Sequence, residues 1–412
     1  MQQHTAIPHI LQKCYDFTRA DEVKAAGLYP YFRAIQDSEG PIVQMEGRQV
    51  VMAGSNNYLG LTTHPKVREA AIKAIEKYGT SCSGSRYLTG TIDLHEQLED
   101  KLAKFMGKEA CLLFSTGFQT GQGVIATLAQ RGDYLICDRD NHASIVAGVM
   151  LAKSLGAHFE RYHHNDMDSL EKVLKKIPQQ ANKIIISDGV FSTFGGIVNL
   201  PELNRLAKQY NAAVLLDDAH SLGVIGKNGR GTASEFGLDD EIDLVMTTFS
   251  KTLASLGGFV VGSERVINYL KHHSTALIFS ASPTPAAVAA AAAALDVLIE
   301  NPQMTTQLIA NAEYVRQGLR NMGYEVPEGR TAIVPVILGD DTAAFKMWRI
   351  LYDEGVFVNA FIPPATPQGK SMMRVSFMAS HQPEHLNQIL AAFKKAGTIT
   401  GQIPTQSAAV GG

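Results

Sequence analysis

The sequence predicts an α/β fold: a mostly parallel sheet in a large domain, covered by helices on both faces, followed by a smaller α+β C-terminal domain. Three observations predict it. Short apolar runs alternate with helical patterns from Val51 to about Ser282, the runs are continuous rather than alternating, and the pattern changes after Pro285. Strands buried on both faces read as unbroken apolar stretches, the pattern of a parallel sheet between two helical layers. With 412 residues, 45% hydrophobic and 19% charged, the chain has enough apolar material for a large core.

Residues 1–50 are weakly patterned and read as an N-terminal segment. The large domain is expected over 51–285, with strands at CLLF (111–114), YLIC (134–137), KIIIS (183–187), AVLLD (213–217), DLVMTTF (243–249) and FVVG (259–262). Leu94, Leu98, Leu102 and Phe105 recur at helical spacing; Asp93 with Glu96 reads as a capping box and Gly107 as the stop. After Pro285 an Ala-rich helix is expected to leave that layer. The smaller domain then covers 286–397, with strand-like IVPVIL (333–338), VFVNAF (356–361) and MRVSFM (373–378). The small, polar tail 398–412 is expected to be disordered.

Composition excludes several functions. A net charge of −3, from 37 basic and 40 acidic residues, gives no footprint for nucleic acid. The longest apolar run, Ala286 to Ile299, is broken by Asp296 and falls short of the ~20 residues that span a bilayer. Cys14, Cys82, Cys111 and Cys137 form no CxxC pair, so neither a zinc ribbon nor a disulfide scaffold is predicted. His163-His164 and His272-His273 lack metal spacing, and no metal is expected. With no apolar stretch long enough for a signal peptide at the N-terminus, the expectation is a soluble, reduced, cytoplasmic protein.

The chemistry lies at the strand exits. CLLF leads into Ser115-Thr-Gly-Phe118, YLIC into Asp138 and His142, KIIIS into Asp188 and Ser192, AVLLD into Asp218 and His220, and DLVMTTF into Ser250 and Lys251. Ligands of open α/β sheets bind outside the carboxyl ends of the strands, so these exits are expected to share one crevice. Lys251 beside hydroxyls is either a solvated strand-end lysine or, in a low-dielectric pocket, an amine able to form a Schiff base. Asp217 is either a helix cap or a partner for a protonated pyridine nitrogen, with His220 a donor to a ring oxygen. An Asp and a Lys on neighbouring exits, 34 residues apart, are what pyridoxal phosphate needs.

The segment Ser115–Gly121 would offer backbone N–H groups to a phosphate, whereas Gly121-Gln-Gly123 lacks the full dinucleotide fingerprint. His142 is either a surface histidine in a turn or a ring stacked on a pyridine. Arg374, alone among apolar residues, needs a partner: a substrate carboxylate or an internal acid.

The motifs Ser55-Asn-Asn-Tyr-Leu-Gly-Leu61, Gly84-Ser-Arg86, Ser115-Thr-Gly-Phe118, Asp140-Asn-His-Ala-Ser144, Asp188-Gly-Val-Phe-Ser192, Asp217-Asp-Ala-His-Ser-Leu-Gly223 and Thr248-Phe-Ser-Lys251 carry a resemblance. From about Ala25 to Ala396 the chain resembles the α-oxoamine synthases, pyridoxal-phosphate enzymes of the fold type I, aspartate aminotransferase-like class. Gly27-Leu-Tyr-Pro-Tyr-Phe-Arg33, Ala254-Ser-Leu-Gly-Gly-Phe259 and Pro363-Pro-Ala-Thr-Pro367 look most like the branch of soluble bacterial serine palmitoyltransferases.

The resemblance implies roles. Lys251 would tether pyridoxal 5'-phosphate and move the Cα proton, Asp217 would keep the ring nitrogen protonated, and His142 would stack on the ring. His220 and Ser192 would touch its hydroxyl side. Gly117, Phe118, Thr248 and Ser250 would hold the phosphate, and Ser280 or Ser282 would reach the phosphate of a neighbouring subunit in a homodimer with sites at the interface. Arg374 would grip the substrate carboxylate, with Asn57 near it.

The implied reaction is condensation of L-serine with palmitoyl-CoA, giving 3-ketosphinganine, CoA and CO₂; peripheral membrane contact to collect the lipid stays open. Glycine C-acetyltransferase and 8-amino-7-oxononanoate synthase share the core motifs and are the alternatives. A regulatory subunit would be expected to lack Lys251, and an aminotransferase would release no CO₂. Ile362 stands where some relatives carry an arginine before the Pro-Pro pair, so no arginine role is assigned there.

Overall fold

The computed structural model of the chain describes residues 8–403. Two short helices, His9–Tyr15 and Arg19–Ala25, open it and bury none of their side chains. Three strands follow: β1 (Asp37–Glu39), β2 (Ile42–Met45) and β3 (Arg48–Met52). They form an antiparallel set whose far edge, β3, takes a parallel partner from the C-terminal region. The expected division between residues 50 and 51 therefore falls inside a strand. Burial of Val50, Val51 and Met52 against C-terminal residues ties this segment to the end of the chain rather than to the middle.

The central sheet has seven strands, β4 (Ala110–Phe114), β5 (Tyr134–Asp138), β6 (His158–Tyr162), β7 (Lys183–Asp188), β8 (Ala213–Asp217), β9 (Leu244–Thr248) and β10 (Gly258–Gly262), in the order β4-β10-β9-β8-β7-β5-β6. All six apolar runs are strands. The parallel core β6-β5-β7-β8-β9 is as expected, but β10 runs antiparallel to both neighbours, so the sheet is mixed. The sequence reading missed β6. HFERY lies at the sheet edge with mostly uncovered side chains and carries no apolar run.

As the other edge strand, β4 leaves the Leu113 N–H without a strand partner on its outer side. The Glu99 carboxylate accepts that N–H at 2.9 Å and also pairs with the buried Arg86 guanidinium at 2.8 and 3.1 Å. One buried acid thus fixes both the phosphate-side strand and the Gly84–Arg86 loop. The helix Asp93–Met106 that supplies Glu99 ends at Gly107, at φ +66°, as expected. Its start differs from the expected Asp93–Glu96 box: the Ile92 N–H is capped by His95 Nδ1 at 3.0 Å, while Asp93 bonds Tyr78.

The Ala-rich helix Pro285–Glu300 packs on the helices Pro65–Tyr78 and Asp93–Met106. Beyond it, β11 (Ile333–Gly339), β13 (Asn359–Phe361) and β14 (Ser371–Ser376) form an antiparallel sheet in the order β11-β14-β13. The run VFVNAF is split: β12 (Val356–Phe357) pairs with β3, and β13 turns to β14. The last helix, Pro383–Thr400, carries on past Thr398, where the tail was expected to begin, and stops at Gly401 in the left-handed region. The rest of that tail, from 404, lies outside the described residues.

Candidate active site

β4, β5, β7, β8 and β9 end at one rim, and their exits meet there as expected. After β4 the Ser115 hydroxyl donates to the Ala281 carbonyl, and Thr116 caps the helix Gly117–Leu128, its Oγ1 accepting the Gln119 N–H at 3.0 Å. The N–H groups of Gly117 and Phe118 have no partner among the described residues, so the first turn of the helix faces the rim with free donors. Opposite lie Thr248 and Ser250, whose hydroxyls are 2.8 Å apart. Gly117 packs so tightly on Thr248 that an added Cβ would stand 2.6 Å from its side chain. Two hydroxyls and two free amides thus line the same end of the cavity, donors suited to an anion.

Behind this cradle lie the charges. Asp217 ends β8 and accepts the Ala219 N–H at 3.0 Å. Burial raises its pKa, opposed by the Lys251 charge, by that N–H and by His142. Burial also draws the Lys251 amine down to about 8, against the pull of Asp217 and Asp188 and helped by Arg374. Asp188, ending β7, is pushed well above the carboxylate range by burial and then by Asp217; it accepts the His142 N–H at 3.0 Å. That bond fixes the turn carrying the His142 ring, whose Nδ1 meets Ser144 Oγ at 2.8 Å. Gly117, Phe118, His142, Asp217, Thr248, Ser250 and Lys251 all line one cavity of about 300 Å³, with Leu256 at its mouth.

Arg374, on β14, is 2% exposed and pairs with no carboxylate among the described residues. Its Nε donates to the Ser192 carbonyl at 2.6 Å, and its Nη1 to Asn56 Oδ1 at 3.1 Å and Ser376 Oγ at 2.7 Å. The internal ion pair is absent, and Nη2 remains free of protein acceptors among the described residues. A buried guanidinium held this way is a binding site for a carboxylate.

Some expected neighbours stand elsewhere. Asn57 is turned away from Arg374: its Oδ1 accepts the Leu61 N–H at 3.0 Å and its Nδ2 donates to Thr62 Oγ1 at 2.8 Å. Its amide is spent on a local turn, and Asn56 takes the place at the guanidinium. Ser192 meets Arg374 through its carbonyl. Ser280 and Ser282 lie outside this chain's cavity; the Ser282 N–H is held by the Gly84 carbonyl, and its buried hydroxyl has no partner among the described residues. His220 is buried, with Nδ1 2.6 Å from Tyr58 Oη. Residue-level reasoning missed Asn56 and Tyr58 as site residues and placed Asp188 at the crevice without giving it a role. All three lie within quoted motifs, but no spacing rule separates Asn56 from Asn57.

A larger hollow, about 590 Å³, opens at the opposite strand ends. Its lysines are spent on the backbone: Lys108 on the carbonyls of Asp239 and Ile242, Lys183 on those of Pro178, Gln179 and Ala181.

A lysine and an acid on adjacent strand exits, facing a helix N-terminus with paired hydroxyls, fit a ring cofactor with a protonated nitrogen and a phosphate. With the mixed seven-stranded sheet they define a fold type I pyridoxal-phosphate-dependent transferase. The family model "Aminotransferase class I and II" matches residues 48–393. The chain is 47% identical to a serine palmitoyltransferase of Sphingobacterium spiritivorum, over 92% of this chain and 96% of that one. It is 40% identical to an 8-amino-7-oxononanoate synthase of Thermoanaerobacter pseudethanolicus, over 92% and 95%. A solved serine palmitoyltransferase variant from S. paucimobilis with a bound PLP–myriocin aldimine superimposes with a TM-score of 0.93 at 35% identity, covering 96% of this chain and all of that one. The chain belongs to the class I and II aminotransferase family, in its α-oxoamine synthase branch.

Proposed function

We propose that the chain condenses L-serine with a long-chain acyl-CoA, palmitoyl-CoA, with loss of CoA and CO₂, to give 3-ketosphinganine, the entry to sphingolipids. The observation that carries this reading is Arg374, a buried cation without an acid of its own, beside the Lys251–Asp217 cavity. The names of the relatives support the choice of serine and a palmitoyl donor.

Pyridoxal phosphate, when bound, supplies an electron-poor ring that stabilises the electron pair left on an amino acid's Cα. The Gly117 and Phe118 amides with Thr248 and Ser250 would hold its phosphate, Asp217 its ring nitrogen, His220 and Ser192 its hydroxyl side, and His142 would cover a ring face. Lys251 is the tether. With its amine held at about 8, about a tenth is uncharged at pH 7, far more than at the ordinary lysine value, and able to accept the Cα proton at Nζ, later returning one. Arg374 orients the carboxylate that leaves as CO₂; since that group departs as a neutral gas, the guanidinium is free for the next serine.

We further propose a homodimer. The rim of the cavity exposes Phe118 and Leu256, 49% and 60% accessible, with Tyr87, Leu88 and Phe279 also uncovered. A second subunit covering such residues would hide this apolar rim, as family resemblance leads one to expect. Among the described residues no helix is long and apolar enough to cross a membrane. The deciding experiment is a product assay with serine, glycine and alanine, each against acetyl-, pimeloyl- and palmitoyl-CoA. Preferential turnover of serine with palmitoyl-CoA supports the reading; preference for alanine with pimeloyl-CoA overturns it in favour of the 8-amino-7-oxononanoate branch.

A further inference from the structure

We propose that Tyr58 is a positioning residue that fixes the tautomer of His220, holding its proton on Nε2. The inference rests on the reading of the site above, in which His220 faces the hydroxyl side of the cofactor ring.

Tyr58 is fully buried, and its hydroxyl sits between two acceptors: His220 Nδ1 at 2.6 Å and Asn56 Oδ1 at 3.3 Å. A phenol has one proton to give. Two arrangements are possible in principle. Either Tyr58 donates to Nδ1, leaving the histidine proton on Nε2, or Nδ1–H donates to the phenol and the phenol donates to Asn56.

Three features select the first. The alternative needs the phenol to donate to Asn56, yet that contact is 3.3 Å, long for an O–H···O bond, so the proton is better placed on the 2.6 Å line to Nδ1. Asn56 Oδ1 already accepts from Arg374 Nη1 at 3.1 Å and has less need of a second donor. The Arg374 charge near Tyr58 favours negative charge on the phenol oxygen, and so a phenol that gives its proton away rather than one that accepts another.

The ring is also held neutral. Burial, then the charges of Lys251 and Arg374, push the His220 pKa well below its ordinary value. A neutral imidazole has one N–H, and Tyr58 decides which nitrogen carries it. Fixed on Nε2, that proton makes His220 a permanent donor. The opposite tautomer would present a bare lone pair to an oxygen of the cofactor and repel it.

The test is the tautomer itself, read from ¹⁵N-histidine-labelled protein by long-range ¹H–¹⁵N correlation, with His220→Gln identifying the resonance. In cofactor-free wild-type protein the Nε2–H form is expected; finding the proton on Nδ1 overturns the proposal before any variant is made. Tyr58→Phe, checked for folding by its melting curve, should give a mixture of tautomers and shift the absorbance of added pyridoxal phosphate. Its kcat should fall by about tenfold, the size of one buried hydrogen bond. An unchanged Nε2–H tautomer in Tyr58→Phe also overturns it. Asn56→Ala should retain the Nε2–H form, because the short bond to Nδ1 remains; loss of that form there would give the tautomer to Asn56 instead. Since the readout uses neither substrate nor turnover, a wrong substrate assignment would leave it intact.

Discussion

Replacing Arg374 by alanine separates substrate binding from cofactor binding. Its side chain makes three hydrogen bonds to the protein, through Nε and Nη1, and lies outside the cavity formed by Lys251, Asp217 and Thr248. A charge-assisted hydrogen bond contributes about 1.5–3 kcal/mol, so losing one carboxylate contact weakens serine binding by roughly ten- to more than a hundredfold. Removing the guanidinium also strands the Ser192 carbonyl and the Asn56 Oδ1, while Ser376 can rotate its hydroxyl. The structural cost is therefore about 1–3 kcal/mol, visible as a lower melting temperature but not as unfolding. The assay is a serine titration of the cofactor-loaded protein followed by its visible absorbance, beside a separate titration of cofactor into stripped protein. Arg374→Lys, keeping the charge without the planar fork, should fall between wild type and alanine. Unchanged serine affinity with loss of the cofactor would refute the assignment and make Arg374 part of the scaffold.

Borohydride should fix the cofactor covalently to the wild-type protein and not to Lys251→Ala, as read by mass spectrometry of the peptide containing residue 251. Because burial holds the Lys251 amine at about 8, capture of pyridoxal phosphate by stripped protein should speed up as pH rises from 7 and level off above about 8; a rise continuing to pH 10 would place the amine at its ordinary value. Gly117→Ala would drive a methyl to 2.6 Å from Thr248, an overpacking cost of about 1–3 kcal/mol, so cofactor affinity in equilibrium titration should drop roughly five- to a hundredfold. Glu99→Ala leaves the Arg86 charge buried and unpaired and frees the Leu113 N–H, so chemical denaturation should report a loss of about 3–5 kcal/mol.

The central sheet was legible because its strands are buried on both faces, and burial writes a continuous apolar run. The parts that were not legible obey other rules. In β6, HFERY is an edge strand, held by backbone pairing with β5 rather than by an apolar face. The direction of β10 is set by its connection: Gly257 and Gly258 bring the chain straight back beside β9, with Gly258 pressed against Gly117, and an apolar run looks alike in either direction. The boundary expected at residue 50 falls inside β3, which pairs with a strand about 300 residues later, and pairing at that distance leaves no local trace.

At the site, residue type was legible and orientation was not. Lys251 and Asp217 followed from strand exits, because a titratable group directly after a buried strand has few places to go. Asn56 and Asn57 are chemically identical neighbours, and only the turn at Leu61 and Thr62 decides which amide is consumed locally. In the same way Arg374 was visible as a buried cation in need of a partner, while the absence of an acid opposite it belongs to the packing of β14 against the loop carrying Ser192.

The same packing decides where the negative charge of the site resides. Two acids, Asp188 and Asp217, end adjacent strands in register and cannot both ionise cheaply beside one lysine. Asp188 has the His142 N–H at 3.0 Å and is driven well upward by burial and by Asp217 itself. Asp217 has the Ala219 N–H and the Lys251 charge to favour its ionised form. Burial and the neighbouring acid thus press harder toward the neutral form on Asp188, the anchor of the His142 turn, than on Asp217. Strand register, by making the two acids neighbours, puts the one that keeps its charge more readily at the position where a ring nitrogen would need it.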